Sequence, residues 1–201
     1  MKKFLLICIA VAAVSVCKAQ LKLGVKAGLS FANQRMEQEG RKLTTDGRSF
    51  FHAGVMADMP VYDAISLQPQ LILGKKGTLY TPNNDPSKET KINITYIDVP
   101  VMAVYKYPVK QGKVFAGLGP VFSFIAGGKL SQNSKTKKLD FDDWKRSDVG
   151  LGLTAGFECN NGFFGSIGYT AGMSDIYKPE ILKTKNRVFM VSAGYLLGSR
   201  K

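Results

Sequence analysis

The chain has 201 residues, 45% apolar and 21% charged, with 28 basic against 15 acidic side chains and a formal net charge of +13. That length suits one domain. Of the three cysteines, Cys8 and Cys17 fall in the leader described next and Cys159 stands alone, so a disulfide framework and a cysteine-based metal site are excluded.

Lys2 and Lys3 precede an apolar run over residues 4–17, and Ala19 places a small residue before Gln20. This pattern predicts a secretory signal peptide over residues 1–19, cleaved after Ala19, and a mature domain over residues 20–201. The run is shorter than the roughly 20 apolar residues that a spanning helix needs. A lipoprotein signal ending at Cys17 fits less well, because Val16 is bulky where that signal has a small residue. Cleavage removes Lys2, Lys3 and Lys18 and leaves 25 basic and 15 acidic groups, a net +10.

Residues 21–31 alternate strictly: Leu21, Leu23, Val25, Ala27, Leu29 and Phe31 on one face, Lys22, Gly24, Lys26, Gly28 and Ser30 on the other. Period two over that length predicts a strand with one apolar and one polar face. Seven further segments repeat the pattern. Residues 50–59 set Phe51, Val55 and Met59 against His52, Met56 and Asp58, and residues 64–74 set Ile65, Leu67 and Leu71 against Ser66, Gln68 and Gln70. Pro69 inside that strand predicts a bulge or a local break in pairing. Residues 91–106, 114–124, 148–159, 163–173 and 187–197 complete the set, with Asn160, Asn161 and Gly162 as a hairpin turn.

The connections alternate as well. Residues 32–49, 75–90, 125–147 and 174–186 are long and polar, whereas 60–63, 107–113 and 160–162 are short. The predicted fold class is therefore all-β: an eight-stranded antiparallel up-and-down transmembrane β-barrel with four long loops and three short turns. No segment after the leader approaches a spanning helix, so insertion requires a closed barrel. A soluble periplasmic ligand-binding β-barrel, with its apolar faces turned inward, gives the same alternation. Two features favour the membrane. The polar face is rich in Gly, Ser and Thr, as a narrow lumen demands. Tyr62, Tyr105, Phe163 and Tyr195 all fall at the short-turn side, where an interfacial girdle belongs.

Several stretches resemble a known family: Tyr96-Ile97-Asp98-Val99-Pro100-Val101, Ala116-Gly117-Leu118-Gly119-Pro120 and Ser147-Asp148-Val149-Gly150-Leu151. To these add Gly168-Tyr169-Thr170-Ala171-Gly172-Met173-Ser174-Asp175-Ile176 and a last strand ending Gly194-Tyr195-Leu196-Leu197. As an ordered set, spanning nearly the whole mature chain, they resemble the Bacteroidetes outer-membrane β-barrel domain family (PorT-like, porin family). The resemblance implies the fold and an outer-membrane location in a Gram-negative cell, and implies no ligand. The family has an arginine before the penultimate-strand tyrosine where this chain has Gly168, and commonly ends on an aromatic where this chain continues through Gly198, Ser199, Arg200 and Lys201.

Within the predicted barrel Lys22, Asp58, Lys106 and Glu158 face inward near the short-turn end, two charges of each sign at one level. They predict a salt-bridged layer, either a gate on a narrow ion path or the polar core that a small barrel needs. Lys26 and Asp98 are expected to pair at mid-height. His52, the one histidine, is placed at the loop end of its strand as a water-facing rim residue. Asp46, Ser49 and Asp148 are the partners to consider if it served catalysis. Zinc-ligand spacing is missing, and Gly150-x-Gly152 lacks a full phosphate loop, so no cofactor and no metal are expected.

The long loops are basic: Arg35, Arg41, Lys42 and Arg48 in the first, Lys75, Lys76 and Lys88 in the second, Lys129, Lys135, Lys137, Lys138, Lys145 and Arg146 in the third. Export removes nucleic acid as a partner. Outer-membrane lipid, and lipopolysaccharide phosphate facing the third-loop cations in particular, is the natural counter-charge. Phe141 and Trp144 in that loop are expected interfacial or partner contacts. Barrel-assembly machinery is the expected partner during insertion, and an unknown surface or periplasmic partner remains open. The expected function is a non-enzymatic, structural, envelope-maintaining or surface-binding barrel with at most minor permeability. The alternative is a lipid-modifying or proteolytic barrel enzyme built on His52.

Overall fold

A computed structural model describes residues 21–38, 41–43, 46–80, 90–132, 135–138, 146–174 and 182–198. The leader over residues 1–19, together with Lys88, Phe141, Trp144 and Lys145, lies outside the described residues. The strands are β1 (Lys22–Gln38), β2 (Arg41–Leu43), β3 (Asp46–Tyr62), β4 (Ile65–Tyr80), β5 (Thr90–Val109), β6 (Gly112–Gln132), β7 (Lys135–Lys138), β8 (Ser147–Cys159), β9 (Phe163–Gly172) and β10 (Leu182–Leu196). Eight of them form an antiparallel meander in which each long strand pairs with the next, and β1 closes the barrel on β10 from Gly24↔Leu196 to Gln38↔Leu182. The short strands β2 and β7 pair with β1 and β6.

Closure leaves the eight-strand wall without a free edge, which a strand needs in lipid. The apolar faces point outward: Leu23, Val25, Val55, Leu71, Leu118 and Leu153 are each more than half exposed, and Phe51 is 81% exposed. A soluble barrel would require the reverse orientation. At the short-turn end Tyr62, Tyr105 and Phe163 are exposed, Phe163 packs edge-on to Tyr195 at 4.9 Å, and exposed Tyr107 extends the girdle.

The lumen is packed rather than hollow, and part of its filling is apolar. Met56, Met102, Val104, Phe115, Phe164 and Leu196 form a buried cluster on the inward face. Two glycines make room for the rings. A Cβ on Gly156 would meet Phe115 Cζ at 2.5 Å, and one on Gly194 would overlap the Phe164 ring and the Val25 carbonyl. The large-against-small pairing lets eight strands close around aromatic side chains.

One sequence expectation about the elements changes, and another is narrowed to one of its alternatives. The segments read as long loops are shorter than expected: the ladder continues through Gln38 in β1, Tyr80 in β4 and Gln132 in β6, and resumes at Asp46, Thr90 and Leu182. Polar side chains on both faces hide the alternation there, while backbone pairing persists. At Pro69 the pairing of β3 with β4 skips from Met56↔Gln70 to Met59↔Leu67 without a register shift, so the proline interrupts the ladder and makes no bulge. The irregularities lie between Gly47 and His52, between Pro60 and Tyr62, and between Thr95 and Tyr96.

Candidate functional site: the ion-paired lumen

The inward charges form two layers. In the lower one, at the short-turn end, Lys106 Nζ donates to Asp58 Oδ2 and to Glu158 Oε2, both at 2.7 Å. Lys22 Nζ lies 3.8 Å from Glu158 Oε1, and Gln68 Nε2 donates to Asp58 Oδ1 at 3.0 Å. The topology explains the reach. Lys106 on β5 has one strand, β4, between it and β3, which carries Asp58, and one strand, β6, between it and β8, which carries Glu158. Its four-carbon stem spans both gaps. Asp58, Lys106 and Glu158 are all buried, so each charge depends on the others for compensation. The structure brings together the four residues singled out from the sequence.

The expected Lys26–Asp98 pair is not made. Lys26, Gly54, Ile72 and Asp98 occupy one rung across β1, β3, β4 and β5, with the Ile72 side chain between the two charges. Lys26 Nζ donates instead to Gln70 Oε1 at 3.2 Å. Asp98 is taken by Lys76, whose Nζ lies 2.7 Å from Asp98 Oδ1, donates to Ser123 Oγ at 3.0 Å and sits 4.5 Å from the centre of the Tyr96 ring. Lys76, read as a loop cation, is therefore a buried lumen residue on β4. The signal was present in the sequence, because Ile72, Gly74 and Lys76 continue one inward face at a spacing of two.

His52 is likewise not a rim residue. It is 4% exposed, and its Nε2 lies 2.9 Å from Ser192 Oγ. His52, Gly28 and Ser192 share one rung across β3, β1 and β10, and the missing side chain at Gly28 lets the imidazole reach the serine. Neither Ser49 nor Asp148 is that partner, and the side chain of Asp46 is outside the described residues. Asp148 accepts from Asn186 Nδ2 at 3.2 Å. Asp148 Oδ1 and His52 Nδ1 have no hydrogen-bond partner among the described residues, so the upper layer is less fully satisfied than the lower. Ser192 was missed because it looks like an ordinary polar residue in a strand, and Asn186 because the segment 174–186 was read as a loop, whereas β10 begins at Leu182.

Among the described residues, Lys22, Lys26, Lys76 and Lys106 share the inward face with Asp58, Asp98, Asp148 and Glu158. Cavities of about 30 and 20 Å3 lie beside Lys26 and Gln70 between the two layers, enough for a water molecule and too small for a solute. Of the long-loop cations, Lys129 on β6 and Arg146 are exposed, and Arg48 on β3 donates to Asn93 Oδ1 at 2.5 Å. Lys135, Lys137 and Lys138 lie on the β7 backbone, and their side chains are outside the described residues.

A closed barrel with an apolar exterior and a polar, ion-paired lumen is what an outer-membrane strand protein requires. The family model for the outer membrane protein beta-barrel domain matches residues 15–178. The chain belongs to that family. No curated protein matches it in sequence. Among solved structures, this outer membrane beta-barrel is similar to the outer membrane protein OprG of Pseudomonas aeruginosa, at 15% identity and a TM-score of 0.52 over 88% of this chain and 95% of that one. Neisserial surface protein A matches at 12% identity and a TM-score of 0.52 over 86% and 96% of the respective chains. Both likenesses concern the barrel fold.

Proposed function

We propose that this outer membrane beta-barrel serves the envelope as a structural or surface-binding element and not as an open pore or an enzyme. The carrying observation is the lumen: Lys106 bridges Asp58 and Glu158 at one level, and Lys76 holds Asp98 at another. Solute passage would have to break buried ion pairs, and removing one partner of such a pair costs about 3–5 kcal/mol. In this reading residues 1–19 are a cleaved export signal, barrel-assembly machinery inserts the mature chain, and the chain sits with the PorT-like barrels of Bacteroidetes. The exposed cations Lys129 and Arg146 at the long-loop end, with Lys135, Lys137, Lys138 and Lys145 nearby in sequence, suit lipopolysaccharide phosphate at the outer leaflet.

A second reading rests on the His52–Ser192 contact, the geometry of a base beside a hydroxyl nucleophile. The space next to Ser192 is the 30 Å3 cavity, which admits no acyl or peptide substrate, so the pair is read as a lumen brace. The deciding experiment combines gel mobility, unboiled against boiled, with planar-bilayer recording on the same purified chain. A heat-shifted barrel with a flat current trace is expected. Step currents from the folded protein would overturn the closed-lumen reading.

A further inference from the structure

Of Lys22, Lys26, Lys76 and Lys106, only Lys26 is met by no carboxylate. Lys22 and Lys106 turn to Glu158, Lys106 also to Asp58, and Lys76 to Asp98. The Lys26 ammonium has three N–H donors, and its partner among the described residues is one neutral amide, Gln70 Oε1 at 3.2 Å. A charge inside a packed lumen without an opposite charge is costly. Lys26 is half-buried, and it borders both lumen cavities.

The two cavities differ in their walls. The lower one, about 20 Å3, has Glu158 on its wall. The upper one, about 30 Å3, has Lys26, Gln70 and the hydroxyls of Thr154, Ser166, Thr170 and Ser192 as its polar groups, and no acidic residue lines it. Thr154 Oγ1 donates to the Ile167 carbonyl at 3.2 Å. With the Nε2–H tautomer of His52, Ser192 Oγ accepts from the ring and keeps its own proton for the cavity. One ammonium and several hydroxyl donors select a negative charge. The upper volume is about twice the roughly 10–15 Å3 that one water requires, so phosphate, sulfate and carboxylates are too large. A bare halide, little larger than water, fits.

We propose that the upper cavity holds one chloride ion as the counter-charge of Lys26 Nζ, with Ser166, Thr170 and Ser192 as hydroxyl donors around it. The inference rests on the closed-lumen reading above, because an open channel would hydrate Lys26 and need no resident anion. It gives the barrel an inorganic brace between its two ion-paired layers.

The test is urea titration of the full mature chain, refolded in detergent at constant ionic strength in chloride or in gluconate, a carboxylate too large for the cavity. The folded-to-unfolded ratio at fixed urea is expected to rise about tenfold as chloride reaches roughly ten times its dissociation constant. Lys26→Met should keep the heat-shifted mobility and lose the chloride dependence. Gly168→Val leaves Lys26 untouched and fills the same cavity from β9. A Cβ there meets only ordinary contacts, Met190 Cε and the Leu153 carbonyl oxygen at 3.5 Å, so the variant should fold and also lose the dependence. Crystals grown in bromide should show one anomalous peak beside Lys26 Nζ, absent from Gly168→Val. A wild type that lacks either the chloride dependence or the bromide peak overturns the proposal, its cavity then holding water. So does a chloride dependence of equal size in Gly168→Val. Step currents from the folded wild type would sink the closed-lumen reading, whereas a flat trace without a halide signal sinks the anion site alone.

Discussion

Lys106 Nζ lies 2.7 Å from Asp58 Oδ2 although the two residues are 48 positions apart and on strands that do not pair. The contact crosses behind β4, inside the barrel, and the same ammonium then holds Glu158 from the other side. One cation therefore cross-braces three strands that backbone hydrogen bonds do not join directly.

Lys106→Met should destabilise the folded barrel by roughly 3–5 kcal/mol, because two buried carboxylates lose their shared counter-charge. Urea titration in detergent or vesicles, followed by the unboiled gel band, measures this. Lys106→Met combined with Asp58→Leu and Glu158→Leu should recover much of the loss, since an apolar replacement of the whole cluster leaves no charge uncompensated. A triple variant no more stable than Lys106→Met would show that packing, not charge, dominates this layer.

Ser192→Ala should lower stability by about 1 kcal/mol, the scale of one hydrogen bond. His52→Ala should cost more, about 2–4 kcal/mol, because a buried ring is deleted as well. Esterase and protease assays on both variants should match the wild type. A hydrolytic activity that disappears with either substitution would reinstate the enzyme reading.

Charge on the outer wall should be punished by depth. Leu118→Arg, near the middle of the membrane-facing part of β6, is expected to cost about 2–4 kcal/mol, and Tyr62→Arg, in the girdle, about 0–1 kcal/mol. Equal costs at both positions in vesicle-refolded protein would contradict the assigned band.

Gly194→Ala should impair folding severely, since its methyl would overlap Phe164 and the Val25 carbonyl. Gly165→Ala, with open space before it, should refold like the wild type. The unboiled gel band after dilution from urea into vesicles separates the two outcomes.

Most of the barrel was legible in the chain because period-two alternation records which face meets lipid, and the girdle tyrosines mark one of its ends. The level of Lys22, Asp58, Lys106 and Glu158 could be read in the same way, since counting residues from a short turn gives height. Angular position around the barrel could not. Lys26 and Asp98 do share a rung, but the intervening Ile72 and the nearer Lys76 are facts of the closed ring. The His52–Ser192 contact joins residues 140 apart. It became visible only when the last strand was laid against the first, with Gly28 between them.

That seam carries a consequence for how the molecule is made. Residue 24 meets residue 196, so the ring stays open until β10 reaches β1. Until then His52 lacks Ser192, and the inward lysines and carboxylates face an unsealed cleft in which the hydrocarbon of a bilayer would be a hostile solvent. Without β10, both β1 and β9 would present an unpaired edge, which lipid does not tolerate. The pairing that seals the wall is also the one that joins the residues farthest apart in sequence, so closure carries the largest loop-closure cost of any pairing in the barrel.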